Sequence, residues 1–518
     1  MKRNTLRIQI VICSSLVFMI CIYGIWSKYF RTVPVKENVK EFTPQDIKPG
    51  SKSAYDLQLE MNTDGLFNVE ASISIQNQSD KDWSKLLFYF IPNIFTKEYA
   101  PQLEKPATVR MKELSVNGKN NPFNLTDDTL TVPLNEKLSP GNAINVRVSY
   151  DFRLPEQGNR FSKNRENYYL AQWYPMVPTF REDWNKQAYR AKGEFYHTSF
   201  SDFSLKLKVP PDYTVVTSSE SDTFPINSTN VMYVKNVKEV FVAVLKEPHM
   251  IEKEENGVNI RVFSVEDKPE RLSEASLLAS KAVAYFQQVI GKYPSKQLDI
   301  ILDEKGMEYP GIVTVGSVSQ PTKVLENYIV HEIAHQWFYG VINNDPYYHA
   351  WLDEGLAVLA TSLFFSTQEN RNINEMFHQD LLPNMKRRPS NLPLDKYPLE
   401  EQSNYIYGQS ASGLWNVFNK NGGQKTAEHL LKQYYETYKY KEVDTQEFVT
   451  FLKHYLKLKD NQLFDDWLQL DKDKLNERSK TVFNGHISTQ KICKNCSFNI
   501  TMDKLLLELY FRERELCK

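Results

Sequence analysis

His331 and His335 stand four residues apart in HEIAHQWF (331–338), with Glu332 between them. On a helix of about 3.6 residues per turn, positions i and i+4 share a face, so both imidazoles can aim at one point. A metal ion suits that point. An HExxH string by itself arises by chance in roughly one chain in a hundred of this length, and two histidines on an amphipathic helix are more often structural than ligating. A third ligand decides. Glu354, in WLDEGLA, follows His335 after eighteen intervening residues, within an apolar-periodic stretch that predicts the next helix. A carboxylate returning on an antiparallel neighbour can meet the two histidines, which gives three protein ligands and an open fourth position, the pattern of a catalytic zinc. The expected cofactor is one Zn2+ per chain. Glu332 cannot fully share the direction of His331 and is better placed to touch a zinc-bound water. As general base it can take that water's proton during attack on a carbonyl and pass it to the leaving amine. The chemistry is amide hydrolysis without a covalent intermediate.

These side chains need two helices, and the pattern around them supplies both. From 322 to about 365 two helical segments flank a polar loop, INNDPYYH, and further helical periodicity runs to about 477. Upstream, PERLSEASLLASKAVAYFQQVIGKYP places Leu272, Ala275, Leu278, Ala282, Phe286 and Val289 at helical spacing, followed by an apolar strand, LDIILD. Before residue 250 the period is two. Tyr55, Leu57, Leu59 and Met61 alternate with polar residues, NTDG marks a turn, and Phe67, Val69, Ala71, Ile73 and Ile75 alternate again, predicting a hairpin. Similar runs recur at 130–134, 144–150 and 203–209. The fold class expected is α+β, with an antiparallel β domain over 53–250 and a mixed, then mainly helical, catalytic domain over 251–480.

The 518 residues exceed what one core usually supports, and 41% hydrophobic content is enough for large cores. Sixty-three basic against sixty-four acidic side chains leave a net charge of -1, with no basic stretch interleaved with aromatics, so nucleic acid is not an expected partner. The N-terminus differs. Lys2, Arg3 and Arg7 precede an apolar run from Ile8 to Trp26, long enough at about 1.5 Å per residue to cross a hydrocarbon core. It ends Tyr-Gly-Ile-Trp rather than in small residues, which favours an uncleaved anchor over a cleaved signal peptide. The charge balance across it makes 1–7 cytoplasmic and places the catalytic domain outside the cytoplasm. Residues 27–52, polar and Pro-containing, read as a stalk. Cys493, Cys496 and Cys517 lie in a tail over 481–518 and read as one disulfide or surface thiols rather than a closed zinc knuckle, which needs four ligands.

HEIAHQWF, the spacing to Glu354 in WLDEGLA, and GMEYPG (306–311) together resemble the aminopeptidase N family of gluzincin zinc peptidases, over about residues 50 to 470. The resemblance implies a β domain followed by a thermolysin-like catalytic domain, with QWYPMVPTFREDW (172–184) bordering the active site. It implies that Glu308 binds the free α-amine of a peptide, with the backbone at Gly306 and Met307 lining the peptide as an added strand. A buried carboxylate facing a cationic amine rewards a free N-terminus and would make the cleft an exopeptidase. The family also uses a tyrosine on the tetrahedral oxyanion; in NYIYGQSASGLW the best match is Tyr407, ahead of Tyr405. Four departures bear on side-chain preference and on the surroundings of the metal: GMEYP for Gly-Ala-Met-Glu-Asn, Asp353 for the Asn before the third ligand, Tyr407-Gly408-Gln409-Ser410 for Tyr-x-Lys-Gly, and Thr361 where an acid is common. The longer relatives' large C-terminal helical domain has no counterpart, which implies a cleft open to longer peptides. The expected function is a zinc aminopeptidase; the alternatives are a gluzincin endopeptidase and a non-catalytic peptide-binding ectodomain.

Overall fold

The computed structural model describes residues 42–302, 305–377 and 386–471. The expected anchor at 8–26, the segment before it, most of the stalk and the tail with its three cysteines lie outside these residues. Among the described residues no helix is long and apolar enough to cross a membrane.

The strict alternation at the start of the chain does what it predicts. Ser51–Met61 buries every second residue and pairs antiparallel with Phe67–Asn77. The turn between them closes through Gly65, whose φ of 78° is a conformation that only glycine adopts without penalty. These two strands lie in the middle of a seven-stranded sheet, together with Ala143–Arg153 and Ser201–Lys208. The sheet is antiparallel except where Ser51–Met61 runs parallel to Ser201–Lys208. Alternation cannot reveal this, because both orientations have the same two-residue period. A four-stranded and a three-stranded sheet complete the β region.

At His249 the architecture changes. His249–Glu255 and Val258–Ser264 form a hairpin, and Gln297–Leu302 and Ile312–Val315 then add in parallel. Parallel neighbours require a crossover, and helix α1 (Pro269–Val289) provides the one between the second and third strands. Gln297–Leu302 is buried throughout, as a strand covered on both faces must be. Helices α2 (Thr322–Ala334) and α3 (Trp351–Glu369) follow and pack on each other. The core of the β region continues into this second half through Phe263, Ile301, Met307, Tyr309, Ile312 and Tyr339.

The polar connection between α2 and α3 is buried almost throughout. Its polar residues explain how. Asp345 Oδ1 accepts from the backbone N–H groups of Tyr347 (2.9 Å) and Tyr348 (3.2 Å), and Asn343 pairs its backbone with Lys441 and Val443. Buried backbone needs such partners, so the Asn and Asp content here serves burial rather than solvent.

Candidate active site

Helix α2 ends in a tightened turn. His335 N bonds His331 O at 3.3 Å, and the next amides, of Gln336 and Trp337, reach back only three residues. Both imidazoles leave this last turn toward α3, and Glu354 meets them from the first turn of that helix. His331 Nε2 and His335 Nε2 are 3.1 Å apart, and each is 3.2 Å from Glu354 Oε2. These are the only His, Cys, Asp and Glu side chains to cluster in this way among the described residues. Four-coordinate zinc with bonds of about 2.0–2.1 Å requires ligand atoms roughly 3.3 Å apart, so the spacing fits.

The protonation pattern supports the same fit. Burial, then the neighbouring His335, holds His331 below its ordinary value, although the Glu354 bond opposes this. His335 is raised well above its ordinary value: burial acts against its charge, but Glu308 and Glu354 outweigh it. Burial likewise acts against ionised Glu354, yet its bonds to the two histidines pull it down to about 2. Glu354 is therefore ionised and His331 neutral, each with a lone pair to offer a divalent ion, which would have to displace the proton that His335 favours. His335 Nδ1 lies 2.9 Å from Phe338 O, a bond that would fix the ring with Nε2 free to ligate.

Glu332 is buried, and its Oε2 meets no hydrogen-bond donor. Burial chiefly pushes its carboxyl up to about 8. A Cβ on Gly306 would stand 2.7 Å from Glu332 Oε1, so glycine there leaves room for this carboxylate. Glu308 is also buried with Oε1 unbonded, and burial, then the charge of Glu194, raises it well above the ordinary range. Met307 is placed differently from the expectation. Its N–H and C=O are both paired with Thr314, at 3.0 and 2.9 Å, so its backbone has no free edge to offer a peptide, whereas Gly306 and Glu308 have no such pairing.

The two tyrosines separate cleanly. Tyr407 rides on a π-helical turn (Asn404–Gln409), its ring centroid is 6.0 Å from that of His331, and its hydroxyl donates to Glu354 Oε1. Tyr405 points away and donates to Lys386 O. Gly355 permits this packing: a Cβ there would meet Ser410 Oγ at 2.6 Å, and Ser410 Oγ bonds Tyr407 O at 3.0 Å.

Several polar residues at the site carry no mark in the sequence. Arg160 pairs with Glu194 at 2.5 Å, and the charge of Glu194 acts on Glu308, Glu332 and His331. Glu239 accepts from Tyr196 (2.8 Å), Gln172 (2.9 Å) and Tyr339. Gln172 thus ties the 172–184 segment to the end of the HEIAHQWF turn. Tyr339 has a φ of 139°, a conformation that costs of order 1–3 kcal/mol, and Lys238 Nζ sits 3.2 Å from its ring centroid. Burial lowers Lys238 to about 8, against the pull of Asp353 and Glu239. Asp353 Oδ1 caps the Glu354 amide at 3.0 Å while its Oδ2 is unbonded, and Thr361 Oγ1 is likewise buried without a partner.

A family model described as "Peptidase family M1 domain" matches residues 283–467. Among curated proteins, aminopeptidase O of Rattus norvegicus is 22% identical over 246 residues, covering 44% of this chain and 30% of its own length. Leucine aminopeptidase 2 of Candida albicans is 25% identical over 228 residues (37% and 36%), and aminopeptidase 2 of the same organism is 23% identical over 366 residues (64% and 36%). The chain therefore spans about a third of the length of these curated relatives. Among solved structures, an M1 zinc metallopeptidase from Deinococcus radiodurans superposes with a TM-score of 0.63 at 16% identity, covering 81% of this chain and 94% of that one. A mutant of the Deinococcus enzyme bound to a Tyr-Ser-Ala substrate gives 0.60 at 17% identity, covering 83% and 96%.

Proposed function

We propose that the chain is an aminopeptidase N-like gluzincin of peptidase family M1 and works as a zinc-dependent aminopeptidase removing N-terminal residues from peptides. The observation that carries this reading is the convergence of His331, His335 and Glu354 within 3.2 Å beside two buried carboxylates, Glu332 and Glu308, that each keep an oxygen unbonded. A single zinc ion held by the three ligands would lend Lewis acidity to an attacking water and to the scissile carbonyl. Glu332 takes the water's proton and delivers it to the leaving amine. Glu308 pairs with the α-ammonium of the substrate and so sets which bond lies at the centre. Tyr407, beside Glu354, holds a hydroxyl near the carbonyl oxygen as charge develops there.

The test is a panel of aminoacyl reporters, free and N-acetylated, with and without chelator. Turnover of the free substrates that stops with chelator and returns with zinc is expected, with acetylated substrates at background. Equal turnover of acetylated substrates would make the chain an endopeptidase, and no turnover of any would end the hydrolase reading.

We further propose that residues 8–26 anchor the chain in a membrane with the catalytic region outside the cytoplasm, a reading supported by the length of the apolar run and its charged flanks. Release of the chain by detergent but not by high salt, together with its digestion by protease added to intact cells, is the expected result. Full recovery in the salt wash would refute the anchor.

A further inference from the structure

Helix α2 passes into the polar connection through a turn that holds His335 twice. Gly340 N closes the turn onto His335 O at 2.9 Å, the bond with which many helices end around a glycine pivot. The His335 imidazole donates from Nδ1 to Phe338 O, 2.9 Å away, since a carbonyl can only accept. The pivot of this turn, one residue before Gly340, is Tyr339 rather than glycine. Its φ of 139° stands apart: every other non-glycine residue with positive φ among the described residues lies between 46° and 62°, in the left-handed helical well. Glycine would take the Tyr339 conformation freely. Gly340 is glycine for a separate reason, because a Cβ there would stand 2.7 Å from Gln336 O.

A tyrosine at so strained a position has to be held by its side chain, and it is. The hydroxyl donates to Glu239, and Lys238 Nζ lies 3.2 Å from the ring centroid. Both partners belong to the β region and are themselves fixed. Glu239 accepts from Gln172 (2.9 Å) and Tyr196 (2.8 Å), and the Thr198 hydroxyl donates to Lys238 O (2.8 Å). Tyr339 and Glu239 are each 1% exposed, so neither can swing without unpacking its surroundings. The backbone then follows by geometry. The φ of Tyr339 is the torsion that sets the preceding peptide plane against its own Cα, and that plane carries Phe338 O. With the ring fixed and the peptide planar, the carbonyl is held toward His335.

We propose that Tyr339 is a positioning residue: a strained pin, fastened to Glu239 and Lys238 of the β region, that keeps the Phe338 carbonyl on Nδ1 of His335 and so aims Nε2 at the metal point. The inference rests on the zinc-peptidase reading and deepens it, by making the aim of one metal ligand depend on the β region.

Zinc affinity of the full chain is measured by competition with a chromophoric chelator. Two readings accompany it: the visible spectrum of the cobalt(II)-loaded protein, whose bands report ligand geometry, and the urea midpoint of the metal-free protein. Tyr339→Gly frees φ and removes the pin. It should raise the zinc dissociation constant by roughly tenfold or more, the scale of a lost partner behind a ligating histidine, and shift the cobalt bands. Tyr339→Phe keeps the ring under Lys238 but drops the bond to Glu239, and should give a smaller change in the same direction. A role in packing alone would lower the urea midpoint and leave zinc affinity and cobalt bands at parent values. That result in Tyr339→Gly overturns the pin, and should this variant not fold, the same result in Tyr339→Phe overturns it. A parent chain without zinc affinity would end the metal reading and the pin together, whereas a parent that binds zinc beside variants that bind it equally would sink the pin alone.

Discussion

Two clusters of buried charge lie in this molecule, and they are built to different rules. In the first, Arg261 bridges Asp299 (2.7 and 2.5 Å) and Asp222 (2.6 Å), and every carboxylate oxygen has a donor: Asp222 Oδ1 also takes Gln297, and its Oδ2 takes the Thr217 amide and hydroxyl. In the second, around His331 and His335, Glu308, Glu332 and Asp353 each keep a buried oxygen with no donor. Burial raises all three carboxyls. Native structures rarely leave such atoms, because an unsatisfied buried group costs about 1–3 kcal/mol. Three around one point mark a place completed by a metal ion and a cationic substrate. The Arg261 cluster needs nothing further and joins the β region to the parallel strands that precede α2.

If this contrast is right, damage to the two clusters should show in different measurements. Glu332→Gln should leave zinc content and fold intact and lower kcat by about a thousandfold, the scale of a lost general base. Metal analysis beside the aminoacyl assay checks both halves, and an undiminished rate would refute the base assignment. Arg261→Met should do the opposite. It leaves two buried carboxylates unpaired, so it should lower unfolding free energy by about 3 kcal/mol in urea melts, with kcat/KM per folded molecule little changed. A variant as stable as its parent, or one that loses activity without stability, would erase the distinction.

The centre of the site was legible because its geometry is local. His331 and His335 are fixed by one helical turn, and Glu354 by the short connection to the next helix. The hairpin at Asn62–Gly65 was legible for the same reason. Glu194, Arg160, Lys238 and Glu239 were not. They reach the site through tertiary contacts across the β region, and nothing in their neighbours' spacing distinguishes them from surface charges. Composition also misdirects at INNDPYYH, whose polar side chains satisfy a buried backbone. Tyr405 and Tyr407 differ by two positions on one turn, and only the π-helical winding, with Gly355 opening space for Ser410, decides which hydroxyl meets Glu354.

The contrast can be sharpened at Glu308, where function and stability should part. Glutamine has the same shape and no charge, so Glu308→Gln should stabilise the metal-free protein, by about 1 kcal/mol, while the loaded enzyme loses its preference for free over acetylated N-termini. The gain should depend on pH, with a definite sign. Burial, then the nearby Glu194, raises the Glu308 carboxyl well above its ordinary 4.5. A carboxyl raised on folding contributes stability that is complete below its unfolded value and is lost as pH rises through the folded one. Glutamine does not titrate. The variant and its parent should therefore be nearly equal in acid and diverge as pH rises, the variant gaining, when urea midpoints are compared at about pH 5 and about pH 8.5. A variant less stable than its parent at both values would mean that Glu308 is held by native contacts, as Asp299 is, and its unbonded oxygen would no longer point to a ligand.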